Sequence, residues 1–536
     1  MPIYEVLRQG GAMRGDSGQF ARPFGSCGLA ALAAIAVLAG FLTIGFAPSA
    51  QALPSFARQT GQPCGTCHTD FPGLTPFGRR FKLLGYTTGG GAYKTTPFSS
   101  RAAVDARAEY NKLLGYANEV TPPPPTGGEK GWVPPISAML VVGDTHLAAP
   151  MSPPTDPYKP NDNIIASPLS FFWGGAITSN IGAFAQVTRN SPDLVVNNVL
   201  PNGQPDPFAH TWTWDNTDVR FADTARIGGL DVVYGITANN NPTVQDLWNT
   251  TPAWAFPYAA PSAGSGGNVT PSAGTMIEGA FASRVGSVGG YTMLNDVLYL
   301  EASVYRTLNF SQQNALGTDP IGSPGLFNYA PYWRVALEPH WGPHTLMVGT
   351  FGMFMDVHPW SDPNGLVSQG TIPQSDKFTD VGFDAQYQYQ GSNYWLTLRG
   401  SFIHEVQRLD ASFNGFNPAQ TSSNPINTIN SLRLYSSLAL GGDNRIVLTG
   451  QYFSTWGSAD AGLFGFDTNG VTPLGPNSNG WNAEIAYIPF GVSKSPGWPW
   501  FNARIGLQYT YYNKFNGTSV GAQNNNTLFL HAWMAM

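Results

Sequence analysis

Two thiols and an imidazole stand together in "QPCGTCHTD", Gln62 to Asp70: Cys64, Cys67 and His68. The chain has only 3 cysteines in 536 residues. The third, Cys27, falls in an N-terminal apolar stretch that reads as an export signal, so the mature protein keeps the pair alone. Two residues between two cysteines, with histidine directly after, is the attachment signature of c-type haem. The thiols become thioethers to the porphyrin vinyl groups, and the imidazole is placed to ligate the iron. A redox disulfide and a zinc site are the competing readings. Zinc would need four ligands, and the neighbouring sequence supplies no others.

The next residues read as a short haem-covering helix. In "LTPFGRRFKLLGY", Thr75 is an N-cap, Pro76 takes the first helical position and Gly85 lies just past the end. Phe77, Phe81 and Leu84 share one stripe that suits a porphyrin face. Arg79 and Arg80 suit haem propionates, or serve only as a solvated face. A second axial ligand is harder to place, because neither Met nor His occurs between Thr69 and Ala138. Haem iron takes His, Met, Cys or Tyr. Tyr86, Lys82 and Lys94 are local options, and Met139 and His146 in "PPISAMLVVGDTHL" are the first beyond. If that run is a strand, Met139 shares the small and polar face while His146 points the other way.

The elements that must hold this motif are mostly strands. Charged residues make up 11% of the chain and aromatics 13%, against roughly 25% charged in soluble domains. A net charge of −6 without a basic run gives nucleic-acid binding no support. Residues 1–52 carry basic, apolar and A-x-A segments in the order of a signal peptide. Residues 53–100 form the expected monohaem unit, and residues 101–133, with "TPPPPTGGEKG", a linker. From 134 to 536 the chain runs in short stretches of two-residue period, such as "SNYWLTLRGSFIHEV" and "FTDVGFDAQYQYQ". Aromatics gather near their ends, as in transmembrane β-strands. With weaker runs near Ile136, Trp214, Ile277 and Tyr332 there are about sixteen, an even number that suits a closed barrel. The expected fold is therefore all-β: a transmembrane antiparallel β-barrel with a small α-helical haem domain before it. Long connections such as Asn239–Gly274 fall to one side and short turns to the other.

The segments "LPSFARQTGQPCGTCH", "FGRRFKLLGY", "PLSFFWGGAITSNIGAFAQVTR" and "LDVVYGITANNNPTVQDLWNTTPAWAFPY" give the mature chain a family likeness. It resembles the fused monohaem cytochrome–porins of the bacterial outer membrane, whose best-known members serve iron-oxidising bacteria. The resemblance implies one covalent haem c on Cys64, Cys67 and His68, lodged in or lining the barrel. It also implies an extracellular electron donor, with Fe(II) leading, and a periplasmic cytochrome or other carrier as acceptor. One-electron transfer needs no general acid or nucleophile, and the chain shows no convincing triad. A diffusion porin with a gating or sensing haem plug is the alternative, and a haem enzyme such as a peroxidase a third.

Overall fold

A computed structural model describes residues 54–60, 62–69, 73–87, 135–150, 160–178, 180–189, 211–251, 270–318, 325–358, 375–414, 421–441, 443–493 and 497–536. The expected signal peptide, the linker, Lys94 and the end of the expected haem unit lie outside them. Apolar and polar residues alternate along the C-terminal segments, so each can be satisfied only as a strand with two unlike faces. They form one antiparallel sheet of eighteen strands, two of which (β8, Gly325–Leu326, and β10, His340–Trp341) are two residues long. The sixteen others close on themselves: β1 (Ile136–Leu147) pairs with β2 (Asp162–Ala176) on one side and with β18 (Thr527–Ala535) on the other. Closure removes every sheet edge, which hydrocarbon would leave unsatisfied. No described helix is long and apolar enough to cross a membrane.

The two faces differ as that solvent requires. Along β13 (Tyr394–Arg408), Thr397, Ser401, Glu405 and Gln407 are buried inward, while Leu398 is exposed on the outside. Across from it on β12 (Asp376–Gln390), Phe383 pairs with Phe402 on that outer face. Trp212 and Trp456 stand exposed toward one end of the wall, and Trp341, Tyr394 and Tyr487 toward the other. An apolar exterior of this extent belongs in lipid, with the rings at its two interfaces. The lumen is lined by charge: Arg220 pairs with Asp218 at 2.7 Å and Arg504 with Glu484 at 2.5 Å, all four buried.

One expected strand is displaced. Met276–Glu278, around Ile277, is a 3-10 turn, and the strand of that region is β6, Val285–Leu294. Three glycines in "VGSVGGYTML" blunt the alternation of β6, so its period is weak in sequence. A Cβ at Gly289 would overlap Ser303 of the neighbouring strand β7 (Leu298–Thr307), which explains the small residue there. The long connection after β5 (Leu230–Asn239) also departs from an outward loop. Its described parts turn into the lumen, where Trp248 and Ile277 are buried. The amides of Met276 and Ile277 donate to Glu405 and Asp380 of the wall at 2.5 and 2.9 Å.

Candidate functional site

Among the described residues, three short helices precede the barrel: α1 (Pro54–Thr60), α2 (Cys64–Cys67) and α3 (Pro76–Leu83). The four residues CGTC make one helical turn, closed by the His68 amide donating to the Cys64 carbonyl at 2.9 Å. One turn puts both sulfurs near each other and His68 at its exit. Burial, helped by the neighbouring Cys64, pushes the Cys67 thiol up to about 12. Thr75 caps α3 by accepting from the Gly78 amide at 3.0 Å, and Pro76 sits in the first turn, as the sequence predicts. Gly78 lies so close to the motif that a Cβ there would overlap the Cys67 carbonyl. Gly85 then leaves the helix at φ +69°, and Tyr86 follows at φ +56°, a conformation unusual for a bulky residue.

These helices lie inside the barrel, at the mouth formed by the short turns. The Ser55 amide donates to Ser137 Oγ at 3.0 Å, at the start of β1. Gln59 grips the end of β2, donating to Gly174 O at 2.9 Å and accepting from Ala176 N at 3.1 Å. The Gly65 amide donates to Val492 O at 2.7 Å, and Trp498 Nε1 to Gln62 O at 3.0 Å, both from the connection between β16 (Ser478–Tyr487) and β17 (Asn502–Lys514). Short turns mark the periplasmic end of bacterial outer-membrane barrels. The Cys-x-x-Cys-His turn therefore sits at the end that such a barrel shows to the periplasm.

One cavity of ≈ 200 Å³ opens beside it. Cys67 and His68 line it from the plug, and Met139, Phe172 and Trp533 from the wall. Val244, Asp246 and Trp248 line it from the inward loop after β5. Three parts of the chain far apart in sequence thus enclose one mainly aromatic and aliphatic space. Met139 is buried on the inner face of β1, whereas His146 is exposed and its Nδ1 lies 2.5 Å from Asp162. Tyr86 reaches the cavity too, but its hydroxyl donates to Asp218 at 2.7 Å. Lys82 donates to the carbonyls of Val244 and Asp246 in the inward loop. Burial, and next the Arg220 charge, bring its ammonium down to about 8.

The remaining expected contacts divide. Phe81 lines the cavity and meets Phe56 edge-on at 5.1 Å. Phe77 is not among the lining residues, and neither are Arg79 and Arg80. Arg79 is buried against Glu338 at 2.8 Å and donates to Gln388 at 2.7 Å, while Arg80 pairs with Asp296. Both arginines thus tie α3 to the wall. Sequence reasoning missed Glu338 and Trp248. Glu338 accepts from Arg79 of the plug and from the Trp248 indole of the loop, so one carboxylate joins both to the barrel. Arg334 lies over the Trp248 ring at 4.9 Å. Only the Trp in "VQDLWNTT" marked that loop as something to bury. Among the described residues no three His, Cys, Asp or Glu gather as a metal cluster.

No protein-family model matches the chain, and no curated protein matches it. Among solved structures it is similar to a loop L8 deletion mutant of OmpT, an outer membrane protein of Vibrio cholerae. That match has 8% identity and a TM-score of 0.37, covering 75% of this chain and 98% of that one. It is also similar to the outer membrane channel DcaP of Acinetobacter baumannii, at 10% identity and TM-score 0.39, covering 75% and 96%. Salmonella typhi OmpF is a third, at 11% identity and TM-score 0.39, covering 75% and 97%. The closed barrel described above rests on this chain's own strand ladders.

Proposed function

We propose that the chain is an outer-membrane electron-transfer protein with one covalent haem c, moving electrons from an extracellular donor to a periplasmic carrier. One observation carries the reading: the Cys-x-x-Cys-His turn is held inside a closed barrel, against a cavity that also receives Met139. Cys67, His68 and Met139 share the cavity, while Cys64 is buried outside its lining. Cys64 and Cys67 would hold the porphyrin covalently and His68 and Met139 would ligate the iron, while Phe81, Phe172 and Trp533 would keep water from the ring. When bound, haem c supplies a centre that takes and gives single electrons. The chain's own part is to hold that centre rigidly and dry within a barrel wall, near the periplasmic mouth where a carrier can meet it. Export through a signal peptide and residence in the outer membrane belong to the same proposal. Fe(II) is the leading donor.

The test is to mix purified holoprotein with Fe(II) and follow the haem absorption bands. Reduction on mixing is the expected outcome. Haem that stays oxidised in a barrel that conducts solutes through liposomes would replace this reading with the gated porin, and peroxide turnover would favour the enzyme. The buried Arg79–Glu338 pair favours a fixed plug over a moving gate.

A further inference from the structure

Lys377 and Arg408 face each other directly across β12 and β13, on the outer wall at the long-loop end. Both are exposed. Cβ atoms of such opposed residues lie about 5 Å apart, and like charges placed there destabilise a sheet. Neither side chain has an ion pair or hydrogen bond among the described residues. Asp356, on β11 (His344–His358), is the cross-strand neighbour of Lys377. Its carboxylate accepts instead from Asn328 Nδ2, at 3.1 Å, and from Ser375 Oγ. Just below on the same outer surface, Phe354 and Phe383 are exposed at 49% and 58%.

The same rim carries two more bases. Arg189 ends β3 (Ile181–Arg189), and Arg306, near the end of β7, rests over the Tyr329 ring at 5.1 Å. The opposite rim differs: Arg445, exposed in a short turn there, pairs with Asp443 at 3.3 Å. Among the described residues, Lys377 and Arg408 thus hold positive charge without a carboxylate partner at the end where long loops meet the outer leaflet. That charge lies directly above an apolar surface that acyl chains would cover.

We propose that Lys377 and Arg408 form a binding site for the phosphate of an anionic lipid headgroup in the outer leaflet. The phosphate lies between the two cations and relieves their repulsion, while its acyl chains run down over Phe354 and Phe383. Arg supplies a forked donor and Lys a point charge, a pairing suited to phosphate oxygens. This site rests on the outer-membrane reading of the barrel, but not on haem or electron transfer.

The experiment places the full-length protein in nanodiscs of phosphatidylcholine containing diphosphoryl lipid A. Lipid retained per barrel after transfer to detergent is read by native mass spectrometry. Wild type should keep lipid A in preference to phosphatidylcholine. K377Q/R408Q should lose roughly 30-fold of that preference, at about 1 kcal/mol per basic residue near an anionic surface. R445Q, at the other rim, should keep it. Equal retention by K377Q/R408Q and wild type overturns the site, and so does equal retention of dephosphorylated lipid A. Flotation with pure phosphatidylcholine vesicles separates the two failures. A barrel that floats yet shows no preference loses only this site; a chain that does not float loses the membrane reading and the site with it.

Discussion

At the scale of single residues, the cavity concentrates the chemistry on a few side chains. Met139 is the thioether that the wall turns toward His68. In holoprotein, Met139→Ala is expected to convert a low-spin haem spectrum to a high-spin one while the chain keeps its covalent haem; an unchanged spectrum eliminates Met139. Tyr86 and Lys82 are the comparison variants, since both line the cavity with their polar ends engaged elsewhere. Glu338 is the other residue with reach. Its removal strands the buried Arg79 and takes the acceptor from Trp248. Breaking a buried pair by removing one partner costs about 3–5 kcal/mol. Glu338→Ala should therefore free the plug and raise ion conductance in planar bilayers, with heat-modified gel mobility still showing a folded barrel. A variant that stays as tight as wild type would mean the plug is held by its other contacts.

At the scale of elements, α3 works by proximity. Its cap, Thr75, and its glycine, Gly78, press it against the Cys-x-x-Cys turn. Thr75→Ala loses a cap worth about 1 kcal/mol, and should loosen the helix without unfolding the barrel. Hydrogen exchange of residues 76–83 is the readout. Gly78→Ala is expected to be worse, because its new methyl has only the Cys67 backbone to displace.

The long-loop end has its own fastener. Asp460 accepts from Ser422 Oγ at 2.6 Å, from the Ser423 amide at 2.8 Å and from Asn427 Nδ2 at 2.8 Å. Burial alone would raise its carboxyl, but these donors outweigh it and hold it below its ordinary value. A depressed carboxylate stabilises the fold above its unfolded pKa, near 3.9. That contribution disappears as pH falls through the lower folded value. Loops 421–427 and 458–465 should resist acid protease at pH 5 and become cleavable only below about 4. Asp460→Asn should be cleaved equally at both.

At the scale of the molecule, the barrel is a wall shared by two inserted pieces. The plug enters from the short-turn mouth and the loop after β5 descends from the other end. They meet at Lys82, whose ammonium bonds the loop's carbonyls, and at Glu338. A plug of this size has little core of its own. The lumen gives it buried partners: Ala57 and Leu83 are 1% and 2% exposed against the wall and loop. The arrangement keeps the candidate redox centre out of water on most sides, and close to one mouth.

The sequence by itself determined what local pattern can determine. Thr75, Pro76 and Gly85 bounded a helix, and two-residue alternation in runs such as β13 marked strands and their lipid-facing side, while "CGTCH" supplied the expectation of haem c that the proposal rests on. Each signal lies within a dozen residues, where hydrogen-bond and side-chain periodicity act directly. The glycine-rich β6 escaped because glycine carries no side chain to alternate. Tertiary structure alone decided that Arg79 serves Glu338, that Trp248 roofs the cavity, and that the inner face carrying Met139 meets the space beside His68. Those pairings join residues separated by seventy to more than two hundred and fifty positions. Only closure of the sheet into a barrel, with its register fixed all the way round, brings them within reach.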